Sequence, residues 1–281
     1  MTTLAVKKIA AFSAGLTGGN PAGVWIGEAL PDVATMQQTA AEVGFSETVF
    51  AQACEDGWRV RYFSPESEVP FCGHATIALG AALAAEHGAG RFALTLQSGA
   101  RISVEAQPQG ELFAAALQSP PTHSGPLAPA LLSEALSLFA YRADQLDPAL
   151  PPALANGGAQ HLVLALRDRA ALREMSYELD AGRRFMRRLG LATIVLVHAQ
   201  TARLFHTRNP FASGGVYEDP ATGAASAALG GYLRDIDWPH QGAIEIVQGE
   251  DMGCRSLIQV QIPPQRGASI RVAGTTRPIS A

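Results

Sequence analysis

The chain has 281 residues, of which 47% are hydrophobic and 16% are charged, and its formal net charge is −4. This composition is typical of a folded globular enzyme and excludes an intrinsically disordered chain. The most basic stretch, residues 182–190, has the pattern of a helix with a solvated cationic face, so we expect no nucleic-acid partner. No apolar run in the sequence reaches the ~18 residues of a membrane-spanning helix, so we expect no membrane partner.

The cysteines indicate the compartment. The sequence contains three cysteines, Cys54, Cys72 and Cys254. Because the number is odd and no CxxC spacing occurs, we favour a reducing compartment over a disulfide scaffold. Two lysines followed by a short apolar run near the N-terminus resemble a weak signal peptide. That run leads directly into a predicted loop and strand, so we interpret it as an N-terminal strand. We expect a cytoplasmic protein.

Strands and helices alternate along the first half of the chain. A helix is predicted over residues 30–44, with Asp32 near its start and Gly44 after its end. A second helix, over residues 75–88, consists mainly of small residues. Residues 98–100 have the pattern of a hairpin turn. The strands predicted in this half cover residues 22–27, 45–53, 58–65, 92–99 and 101–107.

The same order of elements returns in the second half. Residues 119–127 are rich in Pro, Ser and Gly and are predicted to form a linker. The helices predicted beyond it cover residues 130–139 and 177–190, and the strands cover residues 161–166, 192–199, 202–209, 243–249 and 256–262. This recurrence predicts two related domains. The first comprises residues 1–118 joined by the C-terminal segment 268–281, and the second comprises residues 119–267.

Two segments of small residues, 72–88 and 219–235, each begin a predicted helix. A helix surrounded on all sides must be slim, so we interpret both as central rods wrapped by a sheet. A close contact between two helices is the alternative. The first amides of a helix have no partner within the helix and lie at the positive end of its dipole. Gly73 and Gly223 would let a carboxylate approach these amides without a Lys or Arg.

Three polar side chains near these helix starts are candidates for catalysis. Alternation along residues 45–51 places Glu47 on an otherwise apolar strand face, where burial would raise the pKa of a general acid–base. The alternative is an edge strand with Glu47 in water. His74 could transfer a proton, or bond structurally at the helix start. Asp219 could take part in catalysis or act as a helix N-cap.

The sequence gives little support for a metal or a nucleotide. Cys72 and His74 form one closely spaced pair, and nothing nearby in the sequence completes a set of four ligands. A nucleophilic Cys72 beside His74 is a further alternative. The sequence contains neither GxGxxG nor GxxxxGK[ST]. We therefore expect no metal and no cofactor.

Four motifs stand in one order: GNPAGVW (19–25), FSETVF (45–50), RYFSPESEVPFCGHATIALG (61–80) and EDPATGAASAALGGYL (218–233). This ordered set resembles the PhzF-like (phenazine biosynthesis-like) family over nearly the whole chain. The resemblance implies an α+β, diaminopimelate-epimerase-like fold. It has two pseudo-equivalent domains, each with a strongly curved, mostly antiparallel sheet around a central helix, and an active site in the cleft between them. It also implies a cofactor-free homodimer that moves a proton on a small carboxylic acid.

The resemblance also assigns residues. It implies proton transfer by Glu47, with assistance from His74 and Asp219. Backbone donors at Gly73 and Gly223 would hold the substrate carboxylate. The other candidate substrate-binding residues are Asn20, Ser46, Thr222 and Ala224.

Three departures from the family pattern bear on the substrate. Ala224 stands where the phenazine-making member has a serine, which removes a proposed substrate contact and puts a phenazine precursor in question. Ala10 or Ala11 stands where the family usually has an aspartate. Cys72 matches one thiol of the two-thiol epimerases, but Asp219 stands in the place of the other.

These observations predict a cofactor-independent isomerase that acts by acid–base proton transfer on a small carboxylic acid. One alternative is an amino-acid epimerase or racemase that uses Cys72 with Glu47 or Asp219. Another is a non-catalytic binding or scaffold protein that retains the fold. The joint presence of Glu47, His74 and Asp219 argues against the scaffold, which needs none of them.

Overall fold

A computed structural model describes residues 4–279. Helices and strands both occur along the whole of this range, which confirms the predicted α+β class. The helices are α1 Val33–Val43, α2 Gly73–His87, α3 Pro129–Leu138, α4 Arg169–Arg173, α5 Leu179–Arg188 and α6 Gly223–Asp235. The strands are β1 Lys7–Ser13, β2 Asn20–Gly27, β3 Glu47–Cys54, β4 Gly57–Phe63, β5 Glu68–Val69, β6 Gly90–Thr95, β7 Arg101–Gln109, β8 Leu112–Pro121, β9 His123–Pro126, β10 Ala153–Asn156, β11 Gln160–Ala165, β12 Thr193–Ala199, β13 Leu204–Phe211, β14 Val216–Asp219, β15 Ala243–Gln248, β16 Ser256–Gln261 and β17 Ser269–Pro278.

The chain forms two compact units, Met1–Gln118 with Ala273–Ala281, and Ser119–Val272. The boundaries between the units fall within β8 and β17. We propose that the units correspond to the two domains expected from the sequence, 1–118 with 268–281, and 119–267.

The same succession of strand pairings occurs in both units. In the first, β1–β2 is antiparallel, β2–β3 parallel, β3–β4 and β4–β5 antiparallel, β4–β6 parallel and β6–β7 antiparallel. In the second, β10–β11 is antiparallel, β11–β12 parallel, β12–β13 and β13–β14 antiparallel, β13–β15 parallel and β15–β16 antiparallel. α2 follows β5 as α6 follows β14. This repeat confirms two pseudo-equivalent halves with mostly antiparallel sheets.

α2 and α6 are the central helices of the two units. α2 packs against β1, β2, β3, β6 and β7, and all of its residues from Gly73 to Ala84 are buried. α6 packs against β9, β10, β11, β12 and β16. Strands therefore surround each of the two small-residue helices, as the interpretation of both segments as central rods predicts.

A glycine in each of these helices lies close to a side chain from a neighbouring element. A Cβ atom built on Gly80 would lie 2.5 Å from Cγ2 of Val104 in β7, and one on Gly231 would lie 2.5 Å from Oγ1 of Thr122. Both distances are too short for a real contact. A larger residue at either position would force the helix or the neighbouring side chain to move.

Most predicted elements are present, and residues 119–127, the predicted linker, begin at the boundary between the two units but form strands rather than a loop. β8 extends to Pro121, and β9 pairs antiparallel with β10. Pro and Gly suggested a loop, yet the prolines lie at the ends of β8 and β9, where a strand tolerates the missing N–H. Asp32 and Gly44 cap α1 as predicted, and β6 and β7 form the predicted hairpin. Among the described residues, no helix is long and apolar enough to cross a membrane.

Candidate active site

Glu47 opens β3, an interior strand of the first unit. β3 pairs with β2 on one side and with β4 on the other. Glu47 is 7% exposed, and Val49 and Ala51 on the same strand face lie in the hydrophobic core that contains α2. The alternative of a solvated Glu47 on an edge strand is therefore excluded.

Three other polar side chains meet Glu47 where α2 begins. His74 Nε2 lies 3.5 Å from Glu47 Oε2 and 3.4 Å from Ser46 Oγ. Cys72 Sγ lies 3.3 Å from His74 Nδ1. Cys72 is the N-cap residue of α2 and His74 is in its first turn, so the start of the helix brings both side chains to Glu47 at the start of β3.

Burial controls the acidity of Glu47. Loss of solvent raises the pKa of its carboxyl group above the ordinary 4.5, and hydrogen bonds with Ser46 and Cys72 oppose that rise. A carboxyl group with a raised pKa is a better match for proton transfer near neutral pH. The imidazole of His74 is a second group of this cluster that can carry or orient a proton.

The corresponding helix start in the second unit is organised differently. Asp219 is the last residue of β14, and Thr222 is the N-cap of α6. The Thr222 hydroxyl donates a hydrogen bond to Asp219 Oδ2. The alternative that Asp219 is itself the N-cap residue is therefore wrong. Its carboxylate instead accepts a hydrogen bond from the N-cap residue, Thr222.

Gln248 completes this second cluster, and the sequence patterns did not identify it. Its Nε2 donates to the backbone oxygen of Asp219 at 2.7 Å and to Thr222 Oγ1 at 3.1 Å. Its Oε1 accepts from the Thr222 backbone N–H at 3.1 Å. Gln248 is fully buried at the end of β15. A glutamine at the end of an apolar strand is a weak sequence signal for a site residue, and only the fold shows that Gln248 lies beside Asp219 and Thr222.

Asn209 is another buried polar residue of this region. It is directly opposite Asp219 in the pairing of β13 with β14, so both side chains emerge on one face of the sheet. Within the described residues, Asn209 Oδ1 has no hydrogen-bond partner. An unsatisfied acceptor at a buried position is costly unless a water or ligand donates to it.

The helix starts themselves provide backbone donors. Gly73 and Gly223 are the first residues of α2 and α6, and neither helix has a side-chain cap at its N-terminus. The first amides of each helix have no partner within the helix, and the dipole places positive charge there. Both helix starts can therefore hold a carboxylate or another anion.

The structure divides the predicted residues between two clusters, one in each unit. Ser46, Glu47, Gly73 and His74 are together in the first unit, and Asp219, Thr222, Gly223 and Ala224 are together in the second. Asn20 is the buried first residue of β2, in the first unit. The substrate contacts assigned to these residues stay predictions.

The first cluster also contains three candidate metal ligands. One donor atom each from Glu47, Cys72 and His74 lies within 4.8 Å of the others. The sequence spacing pointed only to Cys72 and His74, because Glu47 comes from a different element. The expectation that catalysis needs no metal stays a prediction.

Comparisons with known proteins cover nearly the whole chain and agree on one family. A family described as "Phenazine biosynthesis-like protein" matches residues 9–280. A trans-2,3-dihydro-3-hydroxyanthranilate isomerase of Pseudomonas aeruginosa is 30% identical over 272 residues, covering 95% of this chain and 94% of that protein. An uncharacterized isomerase of Escherichia coli O157:H7 is 28% identical over 266 residues, covering 92% and 89%. The crystal structure of a Bacillus anthracis phenazine biosynthesis protein of the PhzF family has a TM-score of 0.87 at 21% identity, covering 100% of this chain and 98% of that chain.

Proposed function

The chain belongs to the phenazine biosynthesis-like family and is an isomerase, and within that family we propose that it moves a proton on a small carboxylic acid by acid–base catalysis without a cofactor. The observation that carries the proposal is the cluster at Glu47. A buried carboxyl group with a raised pKa lies 3.5 Å from an imidazole nitrogen. No positive side chain is needed for this chemistry, because both groups can take up and release a proton.

Glu47 is the residue that takes the proton from one substrate atom and returns it to another. In the first step its carboxylate accepts the proton, and the electron pair of the broken C–H bond remains on the substrate. In the second step the carboxyl group donates a proton to another substrate atom, either the proton it accepted or one exchanged with solvent, which restores the starting enzyme. His74 orients Glu47 or assists the transfer, because its Nε2 is close to both Glu47 and Ser46.

The substrate carboxylate is held by backbone amides at helix starts. Gly73 and Gly223 begin α2 and α6, where the amides and the dipole favour an anion. Asp219 assists the same reaction. Support for this role comes from the match of its motif and from the tie of its carboxylate to Thr222.

This chain lacks at least one substrate contact that is expected in the phenazine-making member of the family. The Pseudomonas aeruginosa relative is named for trans-2,3-dihydro-3-hydroxyanthranilate. Ala224, in the first turn of α6, offers no hydroxyl group where the family pattern has a serine. We therefore expect this chain to prefer another small carboxylic acid. We further propose that it is cytoplasmic and forms a homodimer, and light scattering in solution tests the dimer.

A hydrogen-exchange screen tests the proposed reaction. Metal-free protein is incubated in D₂O with trans-2,3-dihydro-3-hydroxyanthranilate, related cyclic carboxylic acids and a set of amino acids, and NMR reports the carbon that acquires deuterium. The proposal predicts exchange coupled to isomerisation of a non-amino-acid carbon position, without added metal or cofactor. Exchange confined to the α-carbon of an amino acid would instead support an epimerase or racemase.

A further inference from the structure

The cluster at the start of α2 combines three side chains that all bind transition metals. Cys72 offers a thiolate, His74 an imidazole nitrogen and Glu47 a carboxylate oxygen, with one donor atom of each within 4.8 Å of the others. Each of the three residues is more than nine-tenths buried. Thiolate and imidazole ligands favour Zn²⁺ over Mg²⁺ or Ca²⁺, which prefer oxygen.

Two of the three ligand–ligand distances are close to those around a tetrahedral ion. His74 Nε2 lies 4.0 Å from Cys72 Sγ and 3.5 Å from Glu47 Oε2. Bonds of about 2.3 Å to sulfur and about 2.0–2.1 Å to nitrogen and oxygen give ligand–ligand separations of about 3.3–3.6 Å in a tetrahedron. The two observed separations therefore need to shrink by only a few tenths of an ångström.

Charge balance also favours the ion. Zn²⁺ with one thiolate and one carboxylate is electrically neutral, and a neutral complex suits a buried position better than separate charges do. Three protein ligands leave a fourth position for water or for a carboxylate from solution.

We propose that Glu47, Cys72 and His74 form a Zn²⁺ site and that the bound ion inhibits the enzyme. The inhibition rests on the proposed function, because the ion would occupy the carboxylate oxygen that transfers the proton. The binding itself does not rest on it. The site is thus a means by which free zinc controls an enzyme that needs no metal for its reaction.

Metal titration tests the binding without any substrate. Apo-protein is titrated with Co²⁺, whose thiolate charge-transfer absorption reports a cysteine ligand, and then with Zn²⁺ in competition with a chromophoric chelator. We expect one ion per chain and a thiolate band that Zn²⁺ displaces. Cys72→Ser should remove the band and weaken Zn²⁺ binding by at least about tenfold, as should Cys72→Ala.

Cys54→Ser and Cys254→Ser are the matched controls, because Cys54 is exposed and Cys254 is half-buried. Both should keep the band and the affinity of the wild type. Circular dichroism and thermal unfolding of each variant establish that it is folded. A band that survives in Cys72→Ser, a band lost in a control variant, or no stoichiometric binding would overturn the site.

The activity measurement separates this inference from the proposed function. Wild-type exchange in D₂O should fall as Zn²⁺ rises and return when a chelator is added. Zinc bound at the site with unchanged exchange would overturn the inhibition. If the wild type binds no zinc while Glu47→Gln loses exchange, the proposed function stands and only the metal site is removed.

Discussion

The starts of α2 and α6 occupy equivalent places in the two units, but different kinds of side chain surround them. At α2, the contacts link groups that can titrate, since Glu47, Cys72 and His74 lie beside one another. At α6, the contacts come from neutral groups, because the Thr222 hydroxyl donates to the Asp219 carboxylate and Gln248 donates to the Asp219 backbone oxygen and to Thr222.

The two helix starts show how the same backbone arrangement can carry different side-chain chemistry. A proton carrier needs a carboxyl group with a raised pKa, and burial in an apolar core provides this for Glu47. A positioning site needs fixed hydrogen bonds, and an amide side chain such as Gln248 provides them without competing for a proton. The backbone is repeated, while the side chains around it determine the chemistry.

The largest expected effect concerns the sheet that carries the second cluster. Arg208 and Glu218 form a buried ion pair with 9% and 3% side-chain exposure, and Glu218 lies on the strand face opposite Asp219. Glu218→Gln leaves the Arg208 charge without its partner, so we expect a loss of about 3–5 kcal/mol in the free energy of unfolding. Denaturant unfolding measures it.

An exposed ion pair provides the control for that variant. Arg101 and Asp56 have side chains 74% and 66% exposed. Asp56→Asn should change stability by no more than about 1 kcal/mol. Equal effects of the two variants would show that the buried ion pair contributes no more to stability than an exposed one.

The next effect tests the neutral clamp, which is the set of hydrogen bonds that Gln248 makes to Asp219 and Thr222. Gln248→Ala leaves the buried backbone oxygen of Asp219 and the Thr222 amide without their side-chain partner. We expect a loss of about 1–3 kcal/mol in unfolding free energy and a lower turnover. Gln259→Ala on the exposed face of β16 is the control. If Gln248→Ala were as stable and active as the control, the clamp would have no role.

The smallest effect tests the thiol of the first cluster. Cys72→Ser keeps a polar group next to His74, and the proton carrier in this account is Glu47. We therefore expect turnover in metal-free buffer to stay within about tenfold of the wild type, well short of the ~10²–10⁴-fold loss expected for a catalytic acid–base. A folded variant that loses more than about a hundredfold would support the epimerase alternative.

The sequence predicted the first cluster better than the second, for a physical reason. Strand alternation placed Glu47 on an apolar face, and the motif around His74 placed it at a helix start. Both signals are local. Gln248 and Asn209 reach the second cluster through pairings of β13 with β15 and β14, which no local pattern encodes. The strand structure of residues 123–126 was missed for the same reason, since pairing with β10 outweighs composition.

The most direct test of the central claim is turnover and carboxylate affinity measured together on Glu47→Gln. The substitution keeps the size and hydrogen-bonding reach of the side chain but removes its ability to carry a proton. The account predicts a loss of at least about 10²-fold in turnover. Affinity for the substrate carboxylate should persist, because backbone amides at the helix starts hold it, and stability should hold or rise, since a buried ionisable group is costly. Near-normal turnover would contradict proton transfer by Glu47, and lost affinity with unchanged turnover would make it a substrate-positioning residue.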